Sequence, residues 1–284
     1  MSVAFVFSGG ASLGAIQVGM VQALDEADIR PELIVGTSVG AINGAWLAGG
    51  QPVEDLAALW RSLRRSDIFP LRPLVGLRGF LGHRSHLVPS SGLRRLLHRH
   101  LTFDRLEDAR IPFSVVAADI HTGEAVRFHD GPAVDTILAS AALPGVFAPV
   151  RIGDRTFIDG GVIDNTPITK AIDAGASEVW VLSTGYSCAL PAPPKSALGV
   201  AMHAVALLVQ QRLVLELRQR SYPVPVHLIP PLCPVTVSPI DFSQSSSLMD
   251  RARAGTSQWL RNGRPDAMSL LRLHDHGGSP EPAH

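Results

Sequence analysis

The stretch that most limits what this chain can fold into is Leu33-Ile34-Val35-Gly36-Thr37-Ser38-Val39-Gly40-Ala41. Three apolar residues, two of them β-branched, read as a short buried strand. Gly36 to Gly40 then satisfies G-x-S-x-G, and Ala41, Ile42, Ala45, Trp46, Leu47 and Ala48 continue as a helical run. Strand, tight turn and helix in that order is the setting in which such a serine is held outward at the end of a sheet. The glycines let neighbouring backbone approach without a Cβ clash. The helix start behind the serine offers unpaired N–H groups to an oxyanion. A five-residue pattern also fits an ordinary glycine turn, so the rest of the chain has to decide.

The surrounding segments form a βαβα series. Val3 to Phe7 reads as a buried strand and Ser8 to Gly14 as a glycine-rich turn. From Ala15 to Ala27 the apolar residues Ile16, Met20, Leu24 and Ala27 recur at helical spacing. Such a start implies a parallel sheet covered by helices, so the expected fold class is α/β. Further on, Pro52 to Leu63 and Ala133 to Ala142 read as helices, Phe113 to Ala118 as a strand, and Glu124 to Phe128 as its hairpin partner. Thr156 to Ile158 is a short strand running into Asp159-Gly160-Gly161. Thr166 is expected to cap a helix with Pro167 at its first position. Glu178 to Ser183 and Val224 to Ile229 read as strands, Ser196 to Arg220 and Ser246 to Arg261 as helices.

A chain of 284 residues with 46% hydrophobic content can bury a large core. It is read as one domain over residues 1–262, with a basic lid-like insertion at about 61–105 and a flexible polar tail at 263–284. Lysine plus arginine equals aspartate plus glutamate at 25 each, so global charge gives no basis for nucleic acid binding. Between 61 and 105, however, ten arginines face only Asp67 and Asp104. Phe69, Leu74, Leu77 and Phe80 lie among them. This pattern suits either a solvated face or peripheral contact with an anionic membrane. Cys188 and Cys233 are the only cysteines, which favours a reducing compartment. No basic residue precedes the first apolar run, so no secretory leader is expected, and a cytoplasmic protein is the default. His98, His100, His274 and His276 show no matching ligand set, and no metal is expected.

Two further stretches bear on Ser38. Gly9-Gly10-Ala11-Ser12-Leu13-Gly14 fails the dinucleotide spacing because residue 11 is alanine. Its backbone N–H groups at a helix start could instead hold a tetrahedral oxyanion. Asp159 follows a strand of what would be the same sheet, and could take the proton of the serine hydroxyl. A Ser–His–Asp arrangement with His203 or His227 remains open at this point.

With these three stretches in order, the chain resembles the patatin-like phospholipase family, in particular its bacterial acyl hydrolases. Ala118 to Glu124, Ala139 to Phe147, Gly160 to Pro167 and Ile240 to Ser243 add to the resemblance, which covers about residues 3 to 262. It implies a three-layer α/β/α fold with a mostly parallel central sheet. It also implies a Ser–Asp dyad with Ser38 as nucleophile and Asp159 as general base, and no cofactor. Backbone donors at Gly9, Gly10 and Ala11 would form the oxyanion hole, with Val39 N–H as a further candidate. Gly14, Gly36, Gly40, Gly160 and Gly161 are the motif glycines. The implied activity is hydrolysis of lipid acyl esters, of phospholipase A or lysophospholipase type. One departure stands out. Leu13 sits where the family commonly has arginine or lysine, and Ala11 replaces a glycine. A catalytically weak scaffold that binds lipid or a partner is therefore a second expectation.

Overall fold

The computed structural model describes residues 2–70, 85–184, 193, 197–219, 221–233, 235, 237–238 and 240–265. Most of the expected apolar–cationic stretch at 69–81, Cys188 and nearly all of the expected tail lie outside the described residues.

Among the described residues eight strands make one sheet: β1 (Val3–Phe7), β2 (Leu33–Thr37), β3 (Phe113–Asp119), β4 (Ala125–Phe128), β5 (Val150–Ile152), β6 (Arg155–Asp159), β7 (Glu178–Leu182) and β8 (Val226–Leu228). Their order is β5-β6-β3-β2-β1-β7-β8, with β4 paired to β3 off that path. The run β3-β2-β1-β7-β8 is parallel. β4 and β6 pair antiparallel with β3, and β5 antiparallel with β6.

Among the described residues the helices are α1 (Gly14–Glu26), α2 (Val39–Ala48), α3 (Val53–Ser62), α4 (Arg65–Ile68), α5 (Ser91–His100), α6 (Ala133–Ser140), α7 (Ile168–Asp173), α8 (Ala197–Gln219) and α9 (Ser245–Arg261). Alternation along the strands sorts the core into two faces. Phe5, Phe7, Ile34, Trp180 and Leu182 pack with residues of α1, α2, α3 and α9. Ala4, Val6, Leu33, Val35, Val179 and Val181 face the opposite way, onto Ile168 and Ala171 of α7 and Leu213 and Val214 of α8. This is the three-layer arrangement with a mostly parallel sheet that the sequence implied.

Several details differ from the expectations, among them α4 and α5, which fall within the stretch read as a lid-like insertion. The helix near residue 166 begins at Ile168, with Pro167 as its cap and not its first residue. The cause is local: Ile168 N–H donates to the Thr166 carbonyl at 2.7 Å, and Pro167 has φ −77° and ψ 59°. That is an inverse γ-turn, which displaces the helix start by one residue. The short strand β5 was not anticipated from the sequence. Its three residues are partly or fully exposed, so the hydrophobic pattern that announces a buried strand is missing.

Candidate active site

The sheet register brings the elbow and the Asp-Gly-Gly turn to one level. Thr37 pairs with Val116 on β3, and the next β3 residue, Ala117, pairs with Asp159 on β6. β2 along residues 113–116 of β3 and β6 along residues 117–119 both lie on the side of β3 opposite β4, so the end of β2 meets the end of β6 and Ser38, one residue past Thr37, adjoins Asp159. Ser38 Oγ donates to Asp159 Oδ2 at 2.6 Å, a short contact suited to an ionised acceptor.

Ser38 holds an unusual backbone conformation, φ 57° and ψ −125°, at the cap of α2. Close packing at the elbow explains the flanking glycines. A Cβ on Gly36 would meet the Gly40 carbonyl at 2.5 Å, and one on Gly40 would run into the carbonyl of Phe7. The strand end, the helix start and β1 thus meet backbone to backbone, and the strained serine stays because its neighbours leave no other path. Ser38 N–H is engaged: it donates to Ser140 Oγ at 2.8 Å. Ser140 in turn donates to the Val116 carbonyl at 2.6 Å.

Asp159 is buried. Its second oxygen accepts the Gly161 N–H at 2.7 Å. Burial pushes its pKa up from 3.8 to about 6, while the hydrogen bonds from Ser38 and Gly161 pull the other way by favouring the anion. Gly160 opens the 3-10 turn that Asp159 caps.

The glycine loop faces this pair. Gly9 was expected among the oxyanion donors, and this is corrected: its N–H donates to the Asn165 carbonyl at 3.2 Å, which ties the loop to the turn after Asp159. Among the described residues the N–H groups of Gly10, Ala11 and Val39 have no acceptor. Ala11 lies at φ 51°, a left-handed conformation in which glycine would be unstrained. Gly14 is the first residue of α1.

A buried polar network that the sequence reading missed fixes this loop. Gln17 Nε2 donates to the carbonyls of Ser8 and Leu182 at 2.8 and 3.0 Å. Asn43 Nδ2 donates to Gln17 Oε1 at 2.9 Å and to the Gly14 carbonyl at 3.0 Å. Trp60 Nε1 donates to Asn43 Oδ1 at 2.9 Å. Every donor and acceptor of the two amides is used, which makes such a network rigidifying and not costly. Single amides inside apolar helices carry no pattern that would reveal it. Ser140 was also missed as an individual residue, although the stretch containing it carried part of the family resemblance.

The histidines of the rival arrangement sit elsewhere or are otherwise engaged. His227 pairs in register with Trp180, Trp180 with Phe5, and Phe5 with Ile34. His227 is thus three strands from β2, about 14 Å, and level with a residue four positions before Ser38. Its Nε2 lies 2.9 Å from Glu178 Oε1. His203, on α8, lines the same cavity as Ser38, yet the hydroxyl of Ser38 is bonded to Asp159. That cavity has a volume of about 1190 Å³ and walls that are mostly aliphatic and aromatic.

A serine on a strained strand-to-helix turn, at the carboxyl edge of a covered, mostly parallel sheet, defines a three-layer α/β protein with a hydrolase-type elbow. The match extends to a named family. The patatin-like phospholipase family model matches residues 5–172, and the chain belongs to that family. It is 31% identical over 191 residues to an uncharacterized NTE family protein of Mycobacterium tuberculosis, covering 67% of this chain and 51% of that protein. It is 29% identical over 187 residues to human patatin-like phospholipase domain-containing protein 6, covering 65% of this chain and 13% of that protein. The chain thus spans about half the length of the first relative and a small part of the second. Among solved structures, VipD from Legionella pneumophila superposes with a TM-score of 0.52 at 16% identity, covering 92% of this chain and 67% of that one. Among the described residues no helix is long and apolar enough to cross a membrane.

Proposed function

We propose that this protein is a serine acyl-ester hydrolase of lipids, of phospholipase A or lysophospholipase type, working through a Ser38–Asp159 dyad. The observation that carries the reading is the 2.6 Å hydrogen bond from Ser38 Oγ to a buried carboxylate. As Ser38 Oγ bonds to the ester carbonyl carbon, its proton passes to Asp159 Oδ2. The carbonyl oxygen, now negative, is received by the N–H groups of Gly10, Ala11 and Val39. Collapse of this intermediate breaks the bond to the leaving oxygen, which takes the proton from Asp159 and departs as an alcohol. Water then attacks the acyl-serine, again giving its proton to Asp159. Ser38 recovers that proton as the fatty acid leaves. The raised pKa of Asp159 makes the carboxylate a better proton acceptor than an exposed one, while leaving it ionised at neutral pH.

The large apolar cavity beside Ser38 supports a lipid over a small polar ester. The same reading includes peripheral contact with an anionic lipid surface through the arginine-rich 61–105 segment. Arg94 and Arg105 of that segment are already paired with Asp135 and Glu107, at 2.8 and 2.6 Å, so the charge free to meet phosphate is smaller than the composition suggests. Vesicle binding indifferent to salt and to anionic lipid content would remove this part. A second reading, a scaffold with weak turnover, is favoured by Leu13 and by the strained Ala11 in the oxyanion loop.

The test is hydrolysis of a short-chain nitrophenyl ester, then of lysophospholipid and phospholipid, by wild type, Ser38→Ala, Asp159→Asn and His227→Ala. Activity lost in the first two variants and kept in the third supports the dyad. Activity lost in Ser38→Ala and His227→Ala but kept in Asp159→Asn would replace it with a triad. A folded wild type inactive on every ester would leave the weak scaffold.

A further inference from the structure

The cavity beside Ser38 has one wall that runs along α2. Val39, Ile42 and Trp46 all line it, at spacings of three and four residues, so they form one stripe on that helix. From Val39 to Trp46 the helix rises about 10 Å. Leu56 and Trp60 of α3 and Leu97 of α5 line the cavity as well. At the far end of α2, Trp46 packs against His100 with ring centroids 5.7 Å apart and the rings tilted by 36°, and His100 also lines the cavity.

The polar atoms of this wall are turned away or tied up. Trp46 Nε1 donates to the Pro52 carbonyl at 3.0 Å, and Trp60 Nε1 to Asn43 Oδ1 at 2.9 Å. Both indoles therefore offer the cavity only ring surface. Burial, then the charge of Arg99, lowers the His100 pKa from its ordinary value, which favours the uncharged imidazole. None of the lining residues of α2, α3 and α5 carries a fixed charge. The strip begins at the residue after the serine and ends at an aromatic pair.

We infer that this strip is an acyl-chain site of limited length, closed by Trp46 and His100, and that it selects medium-length acyl groups. The inference rests on the hydrolase reading for its substrate and on the cavity wall for its length. An extended chain advances roughly 1.3 Å per carbon, so the strip holds about eight carbons beyond the ester. A longer chain has to turn away from the strip, and its last methylenes lose the contacts that this wall offers. Ile42 lies halfway along the strip, and a larger side chain there would shorten it.

The experiment measures kcat/KM for nitrophenyl esters of four to sixteen carbons, with wild type, Ile42→Trp and Trp46→Leu. Wild type should peak near eight carbons. Ile42→Trp should raise the ratio of four-carbon to ten-carbon activity by about tenfold or more, since each excluded methylene costs a large factor. Trp46→Leu, which keeps an apolar residue in the core, should move the optimum to longer chains. Ser38→Ala, titrated calorimetrically with octanoate and palmitate, reads the strip without catalysis and should bind octanoate more tightly per methylene. The same titration of Ser38→Ala with Ile42→Trp added should lose octanoate binding. Hydrolysis with a flat chain-length profile, unchanged by either substitution, would overturn the inference. No hydrolysis at any length, with chain-selective binding kept, would overturn the hydrolase reading and leave the acyl site standing.

Discussion

Ser140 Oγ accepts the N–H of Ser38 at 2.8 Å while donating its own proton to the Val116 carbonyl at 2.6 Å. The hydroxyl is fully buried and ties the elbow to β3, the strand that pairs with both β2 and β6.

Ser140→Ala removes that tie and leaves a peptide N–H and a carbonyl unpaired. Because the serine backbone is already strained, its hydroxyl loses the alignment to Asp159 on which proton transfer depends. We expect kcat to fall by roughly 10- to 100-fold with KM little changed. Steady-state kinetics on a soluble ester, beside a thermal melt showing a folded variant, checks this.

The buried carboxylate sets opposite pH trends for activity and stability. Attack on the ester needs Asp159 ionised, so kcat/KM should rise with pH and level off above an apparent pKa of about 6. Folding runs the other way. Asp159 has its pKa raised on folding, so between 3.8 and about 6 the folded chain binds more protons than the unfolded one. Its contribution to stability therefore falls as pH rises through that window. Asp159→Asn should be more stable than wild type by about 1–3 kcal/mol at pH 8 and no more stable at pH 4. Denaturant titrations at the two pH values decide it.

Backbone strain at Ser38 can be isolated by comparing two variants that both lack the hydroxyl. At φ 57° and ψ −125° a Cβ is costly and glycine is not. Ser38→Gly should exceed Ser38→Ala in stability by about 1–2 kcal/mol. Equal stabilities would mean that the turn relaxes once the hydroxyl is gone.

Asn43 is the centre of the amide network beneath the glycine loop. Replacing it with leucine, close in size, strands Trp60 Nε1, the Gly14 carbonyl and Gln17 Oε1. The expected loss is about 2–4 kcal/mol, because buried partners left unpaired cost more than the bonds themselves contribute. The loop would also loosen, lowering activity on esters further than the stability loss explains at temperatures well below the melt.

The chain on its own determined the order of its elements and the chemistry at two of its turns. The apolar runs in Val3 to Phe7 and before Gly36 and the glycines around Ser38 are local signals, and local sterics give them one meaning. The flanks of Asp159 were legible for the same reason: a strand followed by two glycines makes a tight turn. Tertiary structure decided which of these turns meet. Ser38 and Asp159 are 121 positions apart, and they become neighbours only because β6 pairs antiparallel with β3 at a register that no local pattern encodes. It also placed His227, whose sequence position suited a triad, on a strand that pairs at the far edge of the sheet. Gly9 lost its oxyanion role to the Asn165 carbonyl, again a partner distant in the chain. Ser140, Gln17 and Asn43 escaped the sequence reading because a polar residue within an apolar helix looks the same whether it is exposed or satisfied. Only the fold, by bringing specific backbone groups within 3 Å of them, gives them their purpose.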